Sequence, residues 1–197
     1  MKWEILKLED LYRGFFHLRR LRLSHGRFEG GEPMVIEREL LDRGHAAGVL
    51  PYDPVRDVVL LVEQFRVGAI ESPHGPWLME IIAGLMDAGE RAESVARREA
   101  LEEADCRLDE LVHIHDYYST PGSSSERISL FVARADLGEA GGIHGLADEG
   151  EEIRVHVLPA EEAFDRLDRM QVDTAMTIIA LQWLRLNRDG LRERWGG

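Results

Sequence analysis

The chain has 197 residues, 44% of them hydrophobic and 31% charged, with a formal net charge of −13; this suits one ordinary domain or a core domain with a small attached unit, and excludes global disorder. The acidic balance excludes nonspecific binding to DNA or RNA, which runs on phosphate neutralisation by basic side chains. The lone cysteine, Cys106, leaves no internal disulfide, apolar runs such as VVLLV at 58–62 are too short to cross a bilayer, and the start MKWEILKLED has acids where a signal peptide needs an apolar core, so a cytoplasmic protein without a membrane or nucleic-acid partner is expected.

In chain order, residues up to about 40 read as short strands, with FFHLRRLRL (15–23) and MVIEREL (34–40) alternating around an EGGEP turn. Strands are predicted at about 45–51, 57–66 and 77–82, the first two separated by the DPVRD turn. A helix follows at about 90–105, then strands near 112–119, 127–134 and 152–158. Two helices close the chain near 160–169 and 173–188, the second carrying Ile178, Leu181 and Leu184 at helical spacing. Mixed strands with helices before and after them indicate an α/β (or α+β) sandwich. Two long loops interrupt it, STPGSSSER (119–127) and LGEAGGIHGLADEGEE (137–152). Long Gly-rich loops in compact domains are often functional.

The segment REALEEAD (98–105) poses a physical problem. It crowds Glu99, Glu102 and Glu103 onto one face of the predicted helix, where like charges at helical spacing destabilise. One answer is a solvated acidic face. Another is a metal: carboxylates one turn apart can hold a hard divalent cation, which takes oxygen ligands and screens the charges that crowd it. Arg98 is placed to orient these carboxylates by pairing with Glu90 or Glu102, a supporting role behind the ligands.

The wider stretch GLMDAGERAESVARREALEEAD favours the metal. Gly84, Glu90, Arg98, Glu99, Glu102 and Glu103 match six of the seven fixed letters of the box G-x5-E-x7-R-E-U-x-E-E-x-G-U, where U is a bulky aliphatic. The departures are Asp105 in place of glycine, Ala100 at the first U and Cys106 at the second. Asp105 puts the geometry of the helix end in question, because glycine exits a helix at the least cost. This pattern resembles the Nudix box. GVLPYDPVRDVVLLVEQFR, PWLMEIIAGLMDAGE, YYSTPGSSSER, IHGLADEGEEIRVHV and IIALQWLRLNRDGL resemble the ADP-ribose pyrophosphatases within that superfamily, and Pro121 is similar to the proline that marks them.

The resemblance implies a Nudix-type α/β/α sandwich with a mixed sheet over residues 43–197, preceded by a small N-terminal antiparallel sheet over 1–42 that pairs two copies into a homodimer. It implies Mg²⁺, with Mn²⁺ as a substitute, held by Glu99, Glu103, Glu151 and the Ala83 carbonyl. Glu149 matches the base that assists the attacking water. Phe15 resembles an aromatic that contacts adenine, Arg38 and Arg66 resemble arginines that bind the nucleotide and its phosphates, and Glu126 a carboxylate that binds the terminal ribose. In a dimer Phe15 and Arg38 would serve the partner's site. The implied reaction splits ADP-ribose into AMP and ribose 5-phosphate. Alternatives are another nucleoside diphosphate sugar or dinucleotide, such as ADP-glucose or GDP-mannose, and a module that senses a nucleotide without cleaving it. His113 and His115 lack the further ligands of a zinc site, and GIHG lacks the length and lysine of a P-loop.

Overall fold

A computed structural model describes residues 1–146 and 150–196. The chain divides into two compact units: residues 1–45 with 117–127, and residues 46–116 with 128–197.

The first unit is built on three antiparallel strands in the order β1-β2-β3, β1 at Trp3–Arg13, β2 at His17–His25 and β3 at Met34–Asp42. β1 is a full strand that alternation alone does not delimit, because its pairing with β2 slips at Ile5/Lys7 and again at Asp10/Tyr12. Such bulges break the period-2 pattern. The turn between β2 and β3 uses Gly30 and Gly31 at φ 74° and 89°, a region open to glycine at no steric cost. The sheet carries cross-strand charge pairs, with Arg19 Nη1 3.1 Å from Asp42 Oδ2 and Arg20 Nη2 3.4 Å from Glu39 Oε1. It also leaves Trp3, Ile5, Leu8 and Phe28 exposed. Three strands with so little covered apolar surface have a thin core of their own.

The second unit holds an eight-stranded mixed sheet. Its main path runs β10-β11-β5-β4-β9-β8, with β6 paired to β5 and β7 to β4. The strands are β4 (Ala46–Asp53), β5 (Val58–Phe65), β6 (Trp77–Glu80), β7 (Ile82–Leu85), β8 (Leu111–Tyr118), β9 (Arg127–Arg134), β10 (Gly142–His144) and β11 (Ile153–Pro159). β4 runs parallel to β9 and antiparallel to β5 and β7. The helices are α1 (Ala92–Ala104), α2 (Ala160–Asp168) and α3 (Ala175–Trp195).

Successive residues of a strand face opposite sides of the sheet, and β4 shows which helix each side meets. Ala47 and Val49 join the core that includes Val95, Ala96, Ala100 and Ala104 of α1. Gly48, between them, faces the other way, where an added Cβ would lie 3.2 Å from Met176 Sδ of α3. The result is the expected three-layer sandwich. Alanines 96, 100 and 104 recur every fourth residue and lie buried, so α1 meets the sheet along a seam of small side chains. Ala100 and Cys106, the two short substitutes for bulky aliphatics, both belong to this core.

Two ends differ from expectation. Asp105 closes α1 in the left-handed conformation at φ 45° and ψ 37°. Its N–H reaches Leu101 O at 3.0 Å and the Cys106 N–H reaches Ala100 O at 2.9 Å, so the helix ends as it would with glycine, at a steric cost of roughly 1 kcal/mol. α3 runs seven residues past the expected 188, because its end is anchored: Trp195 is buried and its Nε1 donates to Glu110 Oε2 at 3.0 Å. Further back, Arg188 Nε donates to Asp57 Oδ1 at 2.8 Å, Arg192 Nη1 lies 3.4 Å from Asp57 Oδ2, and the Tyr52 hydroxyl donates to Asp57 at 2.7 Å. Arg188 also pairs with Glu161. Among the described residues no helix is long and apolar enough to cross a membrane.

Candidate active site

The loop before α1 is shaped by Glu90. Its N–H donates to Asp87 O at 3.0 Å, and its carboxylate accepts the Asp87 N–H at 3.2 Å. These reciprocal bonds hold the turn that leads into the helix. Arg98, midway along α1, gathers three carboxylates. Its Nη1 lies 2.8 Å from Glu99 Oε1 and 2.9 Å from Glu102 Oε2, and its Nε lies 3.6 Å from Glu90 Oε1. A planar guanidinium with five donors can hold several acceptors in fixed directions.

Glu99 and Glu103 are treated differently from Glu102. Glu102 is more open, whereas the Glu99 side chain is 14% exposed and Glu103 is 4% exposed. Close backbone approach makes room for Glu99, since a Cβ on Gly84 would lie 1.7 Å from Glu99 Oε1. The box glycine is therefore required for space; its φ is not in the left-handed region. Burial pushes the Glu99 carboxyl above its ordinary range, against the pull of Arg98. Burial, then the charges of Glu99 and Glu151, push Glu103 up to about 8, while Arg66 and a hydrogen bond from the Ala83 backbone pull the other way. Glu103 Oε2 is buried and has no hydrogen-bond partner in the protein.

Ala83 completes the arrangement. In β7 it stands opposite Gly48 of β4, yet its N–H is given to Glu103. The N–H and C=O of one residue in an antiparallel strand point the same way, so the Ala83 carbonyl also faces the Glu103 side of β7. Buried Glu103, half-buried Glu99 and the Ala83 backbone then lie together, one oxygen of Glu103 lacking any hydrogen-bond partner. A buried carboxyl oxygen without a partner is costly, and more so once ionised, and a hard divalent cation is the ligand that this oxygen-only donor set fits. Among the described residues, no three His, Cys, Asp or Glu side chains form a closed metal cluster. An open set suits Mg²⁺, which is commonly held by one or two carboxylates with substrate phosphates and water supplying the rest.

Glu151 lies close enough to raise both Glu99 and Glu103 electrostatically. Its N–H donates to Leu146 O at 3.2 Å, and Gly145, at φ 100°, leaves a Cβ only 2.8 Å from the Glu151 carbonyl oxygen. Gly145 thus leaves room for the Glu151 backbone beside it, a role for the second glycine of GIHG that the sequence does not advertise. Glu149 lies outside the described residues. Arg66 donates from Nε to Glu80 Oε2 at 2.6 Å while its charge reaches Glu103. Glu80, 6% exposed, is the partner that sequence reasoning missed; only its place just before IIAG hints at it. Beside this pair opens a cavity of about 740 Å³, walled by Arg66, Gly68, His74, Leu78, Glu80 and Asp173.

Phe15, Arg38 and Glu126 lie in the other unit. Phe15 is in the turn between β1 and β2, 83% exposed rather than in a strand core, and stacks edge-on to Phe16 with ring centroids 5.0 Å apart. Arg43 sits over the Phe16 ring at 5.7 Å, and its Nε is 3.3 Å from Glu126 Oε1. Phe15, Phe16, Arg43 and the buried Glu126 thus form one chain of contacts. Tyr117 adjoins it, its hydroxyl buried without a partner and pushed up to about 12 by burial and the Glu126 charge. Arg38 stands apart from this chain, exposed on β3, its Nη1 donating to Glu37 O at 2.7 Å.

An α/β/α sandwich with a glutamate-lined helix against an oxygen-only cradle suits a metal-dependent hydrolase of phosphate anhydrides. The chain matches the NUDIX domain over residues 42–178, and it belongs to the Nudix family. It is 46% identical over 192 residues to the ADP-ribose pyrophosphatase of Escherichia coli (strain K12), covering 98% of this chain and 92% of that protein. The ADP-ribose pyrophosphatase of Haemophilus influenzae is 45% identical over 195 residues, covering 98% and 90%. A GDP-mannose pyrophosphatase of Cronobacter sakazakii is 34% identical over 188 residues, covering 93% and 95%. A crystal structure of an ADP compounds hydrolase superposes with a TM-score of 0.71 at 23% identity, covering 97% of this chain and 96% of that one, which bears on the fold.

Proposed function

We propose that this chain hydrolyses the pyrophosphate of ADP-ribose, giving AMP and ribose 5-phosphate, with Mg²⁺ as its cation and Mn²⁺ able to replace it. The observation that carries the chemistry is the buried, partnerless oxygen of Glu103 beside Glu99 and the Ala83 backbone. Near-full-length similarity to two ADP-ribose pyrophosphatases, at 46% and 45%, supports the substrate over the sugar nucleotide of the 34% relative. A bound divalent cation neutralises pyrophosphate charge and lowers the pKa of water.

In this reading Glu99, Glu103, Glu151 and the Ala83 carbonyl are the cation's ligands. Arg98 and Glu90 hold Glu99 and Glu102 in place, Arg66 faces the phosphates with Glu80 fixing its fork, and Glu149 takes the proton of the attacking water. Residues 1–42 form a dimerising sheet ahead of the catalytic domain at 43–197. Across the dimer, Phe15 and Arg38 hold the nucleotide of the partner's site, and Glu126 accepts hydroxyls of the terminal ribose. The exposed apolar side chains of β1 support this pairing, and the lone cysteine supports a cytoplasmic setting.

Turnover of ADP-ribose, ADP-glucose, GDP-mannose and a dinucleotide, with and without Mg²⁺ and with product analysis, tests the proposal. AMP and ribose 5-phosphate from ADP-ribose at the highest kcat/KM, only with the cation, is the expected result. Preference for GDP-mannose, or binding of ADP-ribose with no AMP formed, would overturn it.

A further inference from the structure

β6 and β7 are consecutive in sequence but belong to different neighbours. Glu80, the last residue of β6, stands opposite Val62 of β5, whereas Ile82, the first of β7, stands opposite Val49 of β4. Ile81 is the residue at which the chain changes partner. Its N–H goes to no strand; it donates to Thr177 Oγ1 of α3 at 3.0 Å, across 96 residues of sequence. Thr177 is fully buried. Its oxygen also accepts the Thr174 hydroxyl at 2.8 Å, so both lone pairs are used and the hydroxyl is fixed in direction. The Ile81 side chain is held as well: a Cβ on Gly48 would come within 3.1 Å of Ile81 Cδ1 and 3.2 Å of Met176 Sδ.

The groups on either side of this pinned residue are those of the cradle. One residue before it, Glu80 holds Arg66. Two residues after it, the Ala83 N–H reaches Glu103, and Gly84 lies directly against Glu99. A slip of the crossover would move Arg66 and the Ala83–Gly84 backbone relative to α1.

We propose that Thr177 is a positioning residue for the cation cradle: by fixing the Ile81 N–H from the opposite face of the sheet, its hydroxyl sets where Glu80, Ala83 and Gly84 meet Arg66, Glu103 and Glu99. The proposal rests on the cradle reading above. It acts through the backbone, and Thr177 touches neither cation nor substrate.

The test compares Thr177→Val, which keeps the shape and deletes the acceptor, with Thr177→Ser, which restores it. Supports behind metal ligands typically matter by about 10–100-fold in metal affinity or activity. Thr177→Val is expected to lower kcat about tenfold and to weaken Mn²⁺ binding, read by electron paramagnetic resonance without substrate, by a similar factor. KM for ADP-ribose rises by a smaller factor, through Arg66, and the Ile81 amide exchanges its hydrogen faster. Thr177→Ser returns kcat and Mn²⁺ affinity to near those of the parent. Should Thr177→Val not fold, Thr174→Ala, which removes one of the two hydrogen bonds on the same oxygen, is expected to shift both readouts the same way by a smaller factor. A Thr177→Val protein that melts earlier yet binds Mn²⁺ and turns over like the parent overturns the proposal, as does a Ser variant no better than Val. Glu103→Gln in parallel separates the layers. An active Glu103→Gln protein removes the cradle reading and this inference together; an inactive one beside an unchanged Thr177→Val protein removes the inference alone.

Discussion

The catalytic unit contains two clusters of buried or half-buried charge, and they are built on opposite principles. At one, the Asp57 carboxylate accepts from Arg188 and Tyr52 and lies beside Arg192, and its pKa is held below the usual carboxylate range, chiefly by the Arg188 hydrogen bonds. At the other, Glu103 shares its surroundings with Glu99 and Glu151 and keeps one oxygen without a partner, its pKa raised to about 8. The first cluster spends its charges on locking α3 to the turn between β4 and β5. The second leaves a carboxyl oxygen unmatched where a ligand can match it. Unsatisfied groups persist where function requires them, at a cost in stability met elsewhere in the fold.

This contrast can be broken from either side. The largest effect is expected at Gly84. Alanine there drives a Cβ into Glu99, and displacing a catalytic group by about 1 Å can cost about 100-fold in rate. Gly84→Ala is therefore expected to lose about two orders of magnitude in kcat for ADP-ribose with only a modest change in melting temperature; steady-state kinetics and a thermal melt check both. The structural cluster should respond in the reverse manner. Asp57→Asn removes one of the three carboxylate oxygens that Arg188 donates to, and the charge with it, and is expected to cost about 2–3 kcal/mol in urea unfolding, while kcat per folded molecule stays as it was. The smallest effect is at the helix end, where Asp105→Gly relieves a left-handed non-glycine residue. A gain of roughly 1 kcal/mol in the same unfolding assay is expected, with no kinetic change.

Much of this arrangement was legible in the residues, and the exceptions share a cause. The box helix announced itself because helical spacing places Glu99, Glu103 and Arg98 together whatever the rest of the chain does. The observed α1, Ala92–Ala104, lies inside the expected 90–105. The strand expected at 77–82 instead became β6 and β7 with a change of neighbour at Ile81, because apolar pattern records burial and not which strand is adjacent. Phe15 fell in a turn rather than at the start of a strand, since FF looks the same in either place. β10 emerged from a stretch expected to be loop, a three-residue strand too short for alternation to mark. Glu80 and Thr177 were invisible for the same reason: their partners, Arg66 and the Ile81 N–H, are set by tertiary crossings rather than by local spacing.

The unmatched carboxyl of Glu103 is the seat proposed for the cation, and its linkage to pH has a definite sign. Raised from 4.5 to about 8, Glu103 keeps in the folded protein a proton that the unfolded chain has already lost. Its contribution to metal-free stability is therefore full below about 4.5 and is lost as pH rises towards 8. A cation that replaces the proton stabilises more as pH rises over the same window. The most direct measurement is the melting temperature of the parent protein and of Glu103→Gln at pH 6 and pH 8, each with and without Mg²⁺. The parent is expected to gain from Mg²⁺ and to gain more at pH 8, whereas Glu103→Gln melts higher than the metal-free parent at pH 8 and gains little. Equal Mg²⁺ stabilisation of the two proteins at pH 8 would contradict the claim.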